Sequence, residues 1–348
     1  MKPNKLFTAV AVLLCLVVLA DGGFAQNKRI GTASSTQLLI PVGARGVALG
    51  GSQLANTRGV EAIYWNPAGL GRMDNSAEGM FSSMSYIADI DVSYGGVAGT
   101  FGDFGTLGFA VTSLNFGDIP LTTEDDPENI SDRYYSPTFV TLGVAYGRGL
   151  TDAIAVGFTA KIISEQIARV SATGFALDIG IQYNNLIGVS GLELGVAVKN
   201  IGPQVKYDGP GLYRVARSSD GRRPEQRYRS EAASFELPSV VEIGLSYEGK
   251  VENNIMYGVN GTFTNNNLYL DEYKVGAEVG VMLDAIQLFG RVGMGFVPQA
   301  ETDENIFGES FGLGVHWDTP GIDITIDYAY RSATFFDGNN VFTVKFGF

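Results

Sequence analysis

The chain has almost no cysteine and almost no histidine. Its one cysteine, Cys15, lies in an apolar run near the start, and its one histidine is His316. Beyond that run the chain has no disulfide, no thiolate chemistry and no cysteine metal site. A histidine-rich metal centre is excluded in the same way. No nucleophile elbow and no enzymatic activity are expected, and no cofactor. Charge is sparse, at 18% of residues, and an excess of basic residues is lacking: 24 Lys and Arg stand against 37 Asp and Glu, a net −13. That balance argues against nucleic acid as a partner. Long apolar runs are missing too, and nothing after Ala25 is apolar for long enough to cross a membrane as a helix.

The start reads as a leader. "MKPNKLFTAVAVLLCLVVLADGGFAQ" carries Lys2 and Lys5, then an apolar run from Leu6 to Ala20, then Gly23-Phe24-Ala25. Small residues at positions minus three and minus one predict a signal peptide, 1–25, cut after Ala25. A helical anchor would need roughly 20 apolar residues, and the run is shorter. Lipid attachment at Cys15 would need small residues before it, where Val12-Leu13-Leu14 stand.

What the chain does have is glycine and aromatics, with 46 Gly, 21 Phe and 16 Tyr, laid out with a period of two. "GFALDIGIQYN" places Phe175, Leu177, Ile179, Ile181 and Tyr183 on one face and Ala176, Asp178, Gly180 and Gln182 on the other. "IDITIDYAYR" does the same from Ile322 to Arg331. Fourteen such runs follow one another, near 78–86, 91–102, 104–116, 137–148, 153–165, 172–184, 191–199, 238–248, 254–264, 270–282, 286–297, 308–317, 321–331 and 340–348. Most match the roughly 9–11 residues a tilted strand needs to cross a bilayer. Lys161, Asp178, Glu193, Glu242, Lys274, Glu278, Arg291, Asp323, Asp327 and Lys345 all fall, by parity, on the face with the glycines. A soluble sandwich alternates too, but its strands are usually about 5–6 residues long. Long strands in even number with a nearly charge-free row predict an all-β fold, a 14-stranded antiparallel transmembrane β-barrel over 78–348. By the same parity, arginine should be tolerated better at Gln182 than at Ile179.

The connections alternate in length. Those after even-numbered runs are short, whereas 117–136 and 200–237 are long, which predicts long loops on the outer side of a bacterial outer membrane. The stretch at 87–90 breaks the rule. Gly105 and Gly108, in "GTFGDFGTLGF", are placed to kink the third strand and open the wall.

Residues 26–77 do not alternate. They contain "GVEAIYWNPAGLGRM", where Tyr64 and Trp65 run straight into Asn66-Pro67-Ala68-Gly69-Leu70. This segment is too small for a domain of its own, and a barrel this wide leaves a lumen that its own side chains do not fill. It is therefore expected to be an N-terminal luminal plug. Pro67 fixes a backbone dihedral, and Asn66 is suited to cap the turn with its side chain. Tyr64 and Trp65 should rest on the lumen wall or at the membrane boundary.

"GTASSTQLLIPVGARGVALGGSQLANTRGVEAIYWNPAGL" (Gly31 to Leu70) resembles the N-terminal signature of PorV/PorQ proteins, of the FadL-like barrels. "VGARG", the Gly50-Gly51 pair and "AIYWNPAGL" carry the likeness, with "KNIGPQVKYD" and "LPSVVEIGLSY" further on. The resemblance implies a hatch inside a 14-stranded barrel. For PorV it implies a role in type IX protein secretion, engaging secreted cargo proteins and the translocon at the cell surface. For FadL it implies passage of hydrophobic small molecules through a side opening. The secretion role is the expected function and transport the alternative. The last strand, ending in Phe342, Val344, Phe346 and Phe348, resembles the signal read by the barrel assembly machinery. "GARGVALGG" lacks the strand before it and the Lys-Ser/Thr after it that a phosphate loop needs.

Two loops stand out by charge. Loop 117–136 carries Asp118, Glu124, Asp125, Asp126, Glu128 and Asp132 against Arg133. Oxygen ligands suited to calcium are dense there, but their spacing matches no calcium loop, and no metal is assigned. Loop 200–237 reverses the sign, with Tyr213, Arg214, Arg217, Arg222 and Arg223 as the candidate partner-docking residues. Outer-membrane lipid and lipopolysaccharide are the other expected partners of such a loop.

Overall fold

The computed structural model describes residues 31–217, 224–251, 254–298 and 305–348; the leader lies outside them. Fourteen antiparallel strands close into one barrel. They are β1 Ala77–Ser85, β2 Asp91–Thr100, β3 Thr106–Asn115, β4 Thr138–Gly149, β5 Ile154–Ile167, β6 Val170–Tyr183, β7 Leu192–Ile201, β8 Val240–Val251, β9 Ile255–Asn266, β10 Glu272–Leu283, β11 Ile286–Phe296, β12 Phe307–Thr319, β13 Ile322–Ala333 and β14 Asn339–Gly347. Each alternating run is one strand, with ends shifted by at most three residues. The reason is that side-chain parity along a strand is rigid, so one buried face fixes the whole run. β1 and β14 pair from Glu78↔Gly347 to Ser85↔Asn340, and Phe348 exchanges backbone hydrogen bonds with Ala77.

Outward positions are apolar and exposed, as at Phe158, Phe175, Ile179, Ile243, Leu313 and Phe342. Inward positions are polar and buried, as at Lys161, Asp178, Glu193, Glu242, Arg291 and Asp327. All these inward charges find partners inside the barrel, for example Lys161 with Asp178 at 2.5 Å and Arg291 with Asp327 at 2.5 Å. The long connections, 116–137 and 202–239, leave from one end of the barrel, here the long-loop end.

The lumen is filled by the segment before β1. It is made of short pieces: 3-10 turns at Thr36–Leu39, Gly59–Glu61 and Pro67–Arg72, and helices α1, Ala44–Ala48, and α2, Ala62–Trp65. Ala33 bridges to Glu236 in the long loop, while Gly71 lies against Arg148 at the far end of β4. The segment thus runs down the lumen from the long-loop end to the short-turn end, where β1 begins. It touches every strand. Hydrogen bonds reach β14 (Ala44 N–H to Thr343 Oγ1, 2.9 Å), β1 (Val60 N–H to Glu78, 2.9 Å), β6 (Gln182 Nε2 to the Thr57 carbonyl, 3.0 Å) and β9 (Thr262 Oγ1 to the Ser52 carbonyl, 3.0 Å). Ion pairs join Arg45 to Glu278 at 3.3 Å and Arg72 to Glu193 at 2.7 Å. On β13 Ala329 packs with Ala44 and Ala48 of the plug, and on other strands the contact falls on glycine. A Cβ at Gly157 would meet the Pro67 carbonyl, one at Gly180 the Asn66 side chain, and one at Gly293 the backbone of Leu49 and Gly50.

Two expectations are corrected. Gln182 is not a permissive position. It is wholly buried and donates to the Leu54 and Thr57 carbonyls, because the lumen it faces is packed rather than wet. Nor does β3 kink. It pairs without interruption with β2 and with β4, and Gly108 instead makes room for Ile63.

Candidate functional site: a cavity above the plug

Tyr64 and Trp65 of "IYWNPAGL" form the floor of a cavity. Pro67 opens a 3-10 turn, where its missing N–H leaves no partner unmet. Asn66 before it is extended, and its side chain binds three backbone groups. It accepts from Ala68 N–H at 3.2 Å, and its amide donates to the carbonyls of Leu54 at 3.1 Å and Ile181 at 3.3 Å. The turn is thereby tied both to the plug and to β6. Trp65 donates its indole N–H to the Val42 carbonyl at 3.1 Å and meets Tyr64 edge to face, with ring centroids 5.0 Å apart. Both rings face the lumen and not the membrane boundary.

Above them is a cavity of about 560 Å3 that opens toward the long loops. One side is apolar, built from Leu38 and Ile40 of the plug and Ile90, Leu114, Phe116 and Phe139 of the wall. The other carries a chain of charges. Lys199 pairs with Glu242 at 2.7 Å and lies 5.1 Å from the Tyr64 ring centre; Lys274 bridges Glu242 and Glu272. Arg331 stacks over Phe307 at 3.8 Å and binds Asn339. Two further cavities, about 600 and 340 Å3, lie at the short-turn end, and neither shares a lining residue with the upper one. The plug stands between them.

The basic loop is a different matter. Tyr213 and Arg214 lie in an exposed two-stranded ribbon, Tyr213–Ala216 with Gln226–Arg229, and Arg217 follows it. Arg222 and Arg223 lie outside the described residues. Part of the positive charge is answered within the loop: Arg217 meets Glu225 at 3.7 Å, Arg229 meets Asp208 at 2.5 Å, and Lys206 meets Glu231 at 2.6 Å. Such exposed pairs are individually weak. Loop 116–137 spends an acid on its own turn. Asp126 accepts from the N–H groups of Ile130 at 2.7 Å and Ser131 at 3.0 Å, and its bonds to Ser131 hold its carboxyl below the usual range. Among the described residues no cluster of three or more His, Cys, Asp or Glu is arranged to hold a metal ion.

Gly308-Glu309-Ser310-Phe311-Gly312 spells Gly-x-Ser-x-Gly. It lies in β12, however, where a hydrolase elbow needs a sharp strand-to-helix turn. His316, six residues on, is hydrogen-bonded to Thr325 at 2.9 Å and lines a lower cavity, whereas Ser310 lines the upper one.

The closed 14-strand barrel with short helices packed inside is a fold shared with solved structures of transporters and channels. The chain is similar to the Pseudomonas putida toluene transporter TodX, at 12% identity over 87% of this chain and 97% of that one, with a TM-score of 0.56. It is similar to the CymD monoaromatic hydrocarbon channel, at 12% identity over 89% and 98%, with a TM-score of 0.55. A Pseudomonas aeruginosa FadL homologue follows at 11% over 88% and 98%, with a TM-score of 0.51. No family model matches, and neither does any curated protein. At these identities the likeness is one of fold. The finer likeness to PorV/PorQ rests on the quoted residues alone.

Proposed function

We propose that this chain is an outer-membrane channel for a hydrophobic small molecule, taken up at the long-loop end. The observation that carries the reading is the upper cavity, apolar on one side and floored by a plug seated against all fourteen strands. Structural neighbours whose names denote toluene and monoaromatic hydrocarbon transport support it. The site serves this purpose through its concave shape and its apolar side, since ligand pockets are concave and mostly apolar. The secretion role has only the N-terminal resemblance behind it, and the docking ribbon answers part of its own charge.

Trp65 gives a direct test. The chain has two tryptophans, and Trp317 is exposed on the outer face. In a Trp317→Phe background, toluene should shift or quench Trp65 emission saturably. Emission unchanged up to the solubility limit would remove the reading. The long-loop end should face outward, so an impermeant maleimide should label Asp125→Cys but not Asp152→Cys in intact cells. The reverse pattern would invert the channel.

A further inference from the structure

The outer face of β5 and β6 differs from the rest of the long-loop rim. These are the longest strands of the barrel, at 14 residues each against 9 for β1. Their outward residues pair in rows that change in character toward the long loops. Ile162↔Phe175 is apolar, Ser164↔Thr173 carries two hydroxyls, and Gln166↔Ser171 carries an amide and a hydroxyl. All six side chains are exposed, and so is Arg169, which tops the hairpin. Other parts of the rim turn acid outward, as at Asp91 on β2 and Glu309 on β12, both exposed. One side of the barrel thus grades from apolar to hydroxylic to basic.

The long loop adds to the basic end. Ser171 and Asp208 exchange backbone hydrogen bonds at 2.8 and 2.9 Å, and the Gly211 N–H reaches the Arg169 carbonyl at 3.0 Å. The arginine ribbon therefore rises from the wall at β6, and none of its described residues lines the upper cavity. Arg214 turns back to the same point and donates to the Gly211 carbonyl at 3.1 Å. Arg227 lies one rung further along the ribbon, opposite Val215. Among the described residues no carboxylate is within ion-pair distance of Arg169, Arg214 or Arg227, whereas Lys206, Arg217 and Arg229 each have one. Tyr213 and Tyr228 stand exposed among these guanidinium groups. Three arginines at one corner, with no acid of their own, fit an anion, and the planar guanidinium fork matches phosphate.

We propose that the β5–β6 face, with Arg169, Arg214 and Arg227 at its top, binds a phosphorylated glycolipid of the outer leaflet, of the lipid A type. The proposal rests on the long loops facing outward, and not on what the cavity carries. The levels of the face match the parts of such a molecule. Acyl chains lie along Ile162 and Phe175, sugar groups meet Ser164, Thr173, Gln166 and Ser171, and phosphate reaches the arginines. A glycerophospholipid has no sugar for the middle level. An acidic protein segment in the aqueous layer would leave the apolar level unused.

Purified barrel in detergent, titrated with diphosphoryl lipid A and read by native mass spectrometry, tests this. An Arg169→Ala/Arg214→Ala/Arg227→Ala variant changes exposed residues only and should remain a folded, heat-modifiable barrel. It should bind lipid A at least about ten-fold more weakly than wild type, because charge-assisted bonds to phosphate are lost. Ser164→Leu/Thr173→Leu should also weaken binding, and monophosphoryl lipid A should bind less tightly than the diphosphoryl form. Neither phosphatidylglycerol nor inorganic phosphate should compete at equal concentration. Competition by phosphatidylglycerol would make the corner a contact for any anionic lipid, and competition by inorganic phosphate would make it a free-anion site. Either result would overturn the proposal, as would equal affinity of wild type and the arginine variant. Toluene should act on Trp65 alike in both proteins, so failure here leaves the cavity reading intact. Outside labelling of Asp152→Cys would instead remove the orientation that both readings share.

Discussion

Two irregular regions of this molecule, the plug and the arginine ribbon, differ in what the barrel has prepared for them. The plug meets a glycine, an alanine or a hydrogen-bonding side chain on every strand it passes. Among the described residues, the ribbon Tyr213–Ala216/Gln226–Arg229 is joined to the barrel through its base, where Gly209 and Gly211 lie beside Arg169 and Val170. An inward row of glycine thus records a neighbour. It marks the places where another backbone needs the volume of a side chain. The difference teaches that the plug's position is specified by the wall, while the ribbon's position is specified by little beyond its own pairing.

The sharpest way to break this comparison uses adjacent residues on β6. Ile179→Arg puts a charge on the lipid row and should cost roughly 2–4 kcal/mol in reversible unfolding if it sits at mid-bilayer, with single-channel conductance unchanged. Gly180→Leu, one residue on, faces inward and collides with Asn66. It should cost about 1–3 kcal/mol through overpacking and raise bilayer conductance by unseating the plug. Equal conductance for the two variants would mean the plug does not depend on that wall. Asn66→Ala leaves the Leu54 and Ile181 carbonyls without its amide. It should cost about 1–3 kcal/mol and raise leakage less than the glycine change. At the small end, Arg214→Ala in the ribbon should stay within about 0.5 kcal/mol of wild type, with unaltered conductance. A larger loss of stability would show the ribbon to be built into the fold after all.

Much of this was legible in the residues. Parity along β6 and β13 named the lipid row and the lumen row correctly, because a strand cannot turn one side chain without turning all. "YWNPAGL" was legible as a turn bearing aromatics, since Pro67 and Asn66 act locally. Its location against β6 was not, because that depends on Gly180, more than a hundred residues away. The tolerance expected at Gln182 failed for the same reason: polarity identified the face, but only the fold shows that the face is covered.

The direction in which residues 33–76 traverse the barrel has a consequence for how the molecule is assembled. Ala33 sits beside Glu236 at one rim, and Ser76 binds Phe348 at the other. The chain is a thread inside a ring whose last clasp, β1 on β14, joins residues some 270 apart in sequence, as in Glu78↔Gly347. Wall and thread cannot be made independently. Either the hairpins wrap around a segment already in place, or the segment is drawn in before the clasp shuts. Closure waits on the contact of greatest sequence separation, which is the slow kind. A chain stalled before it would present two open sheet edges and a loose N-terminal tether, the state that an assembly factor gripping the last strand would have to hold.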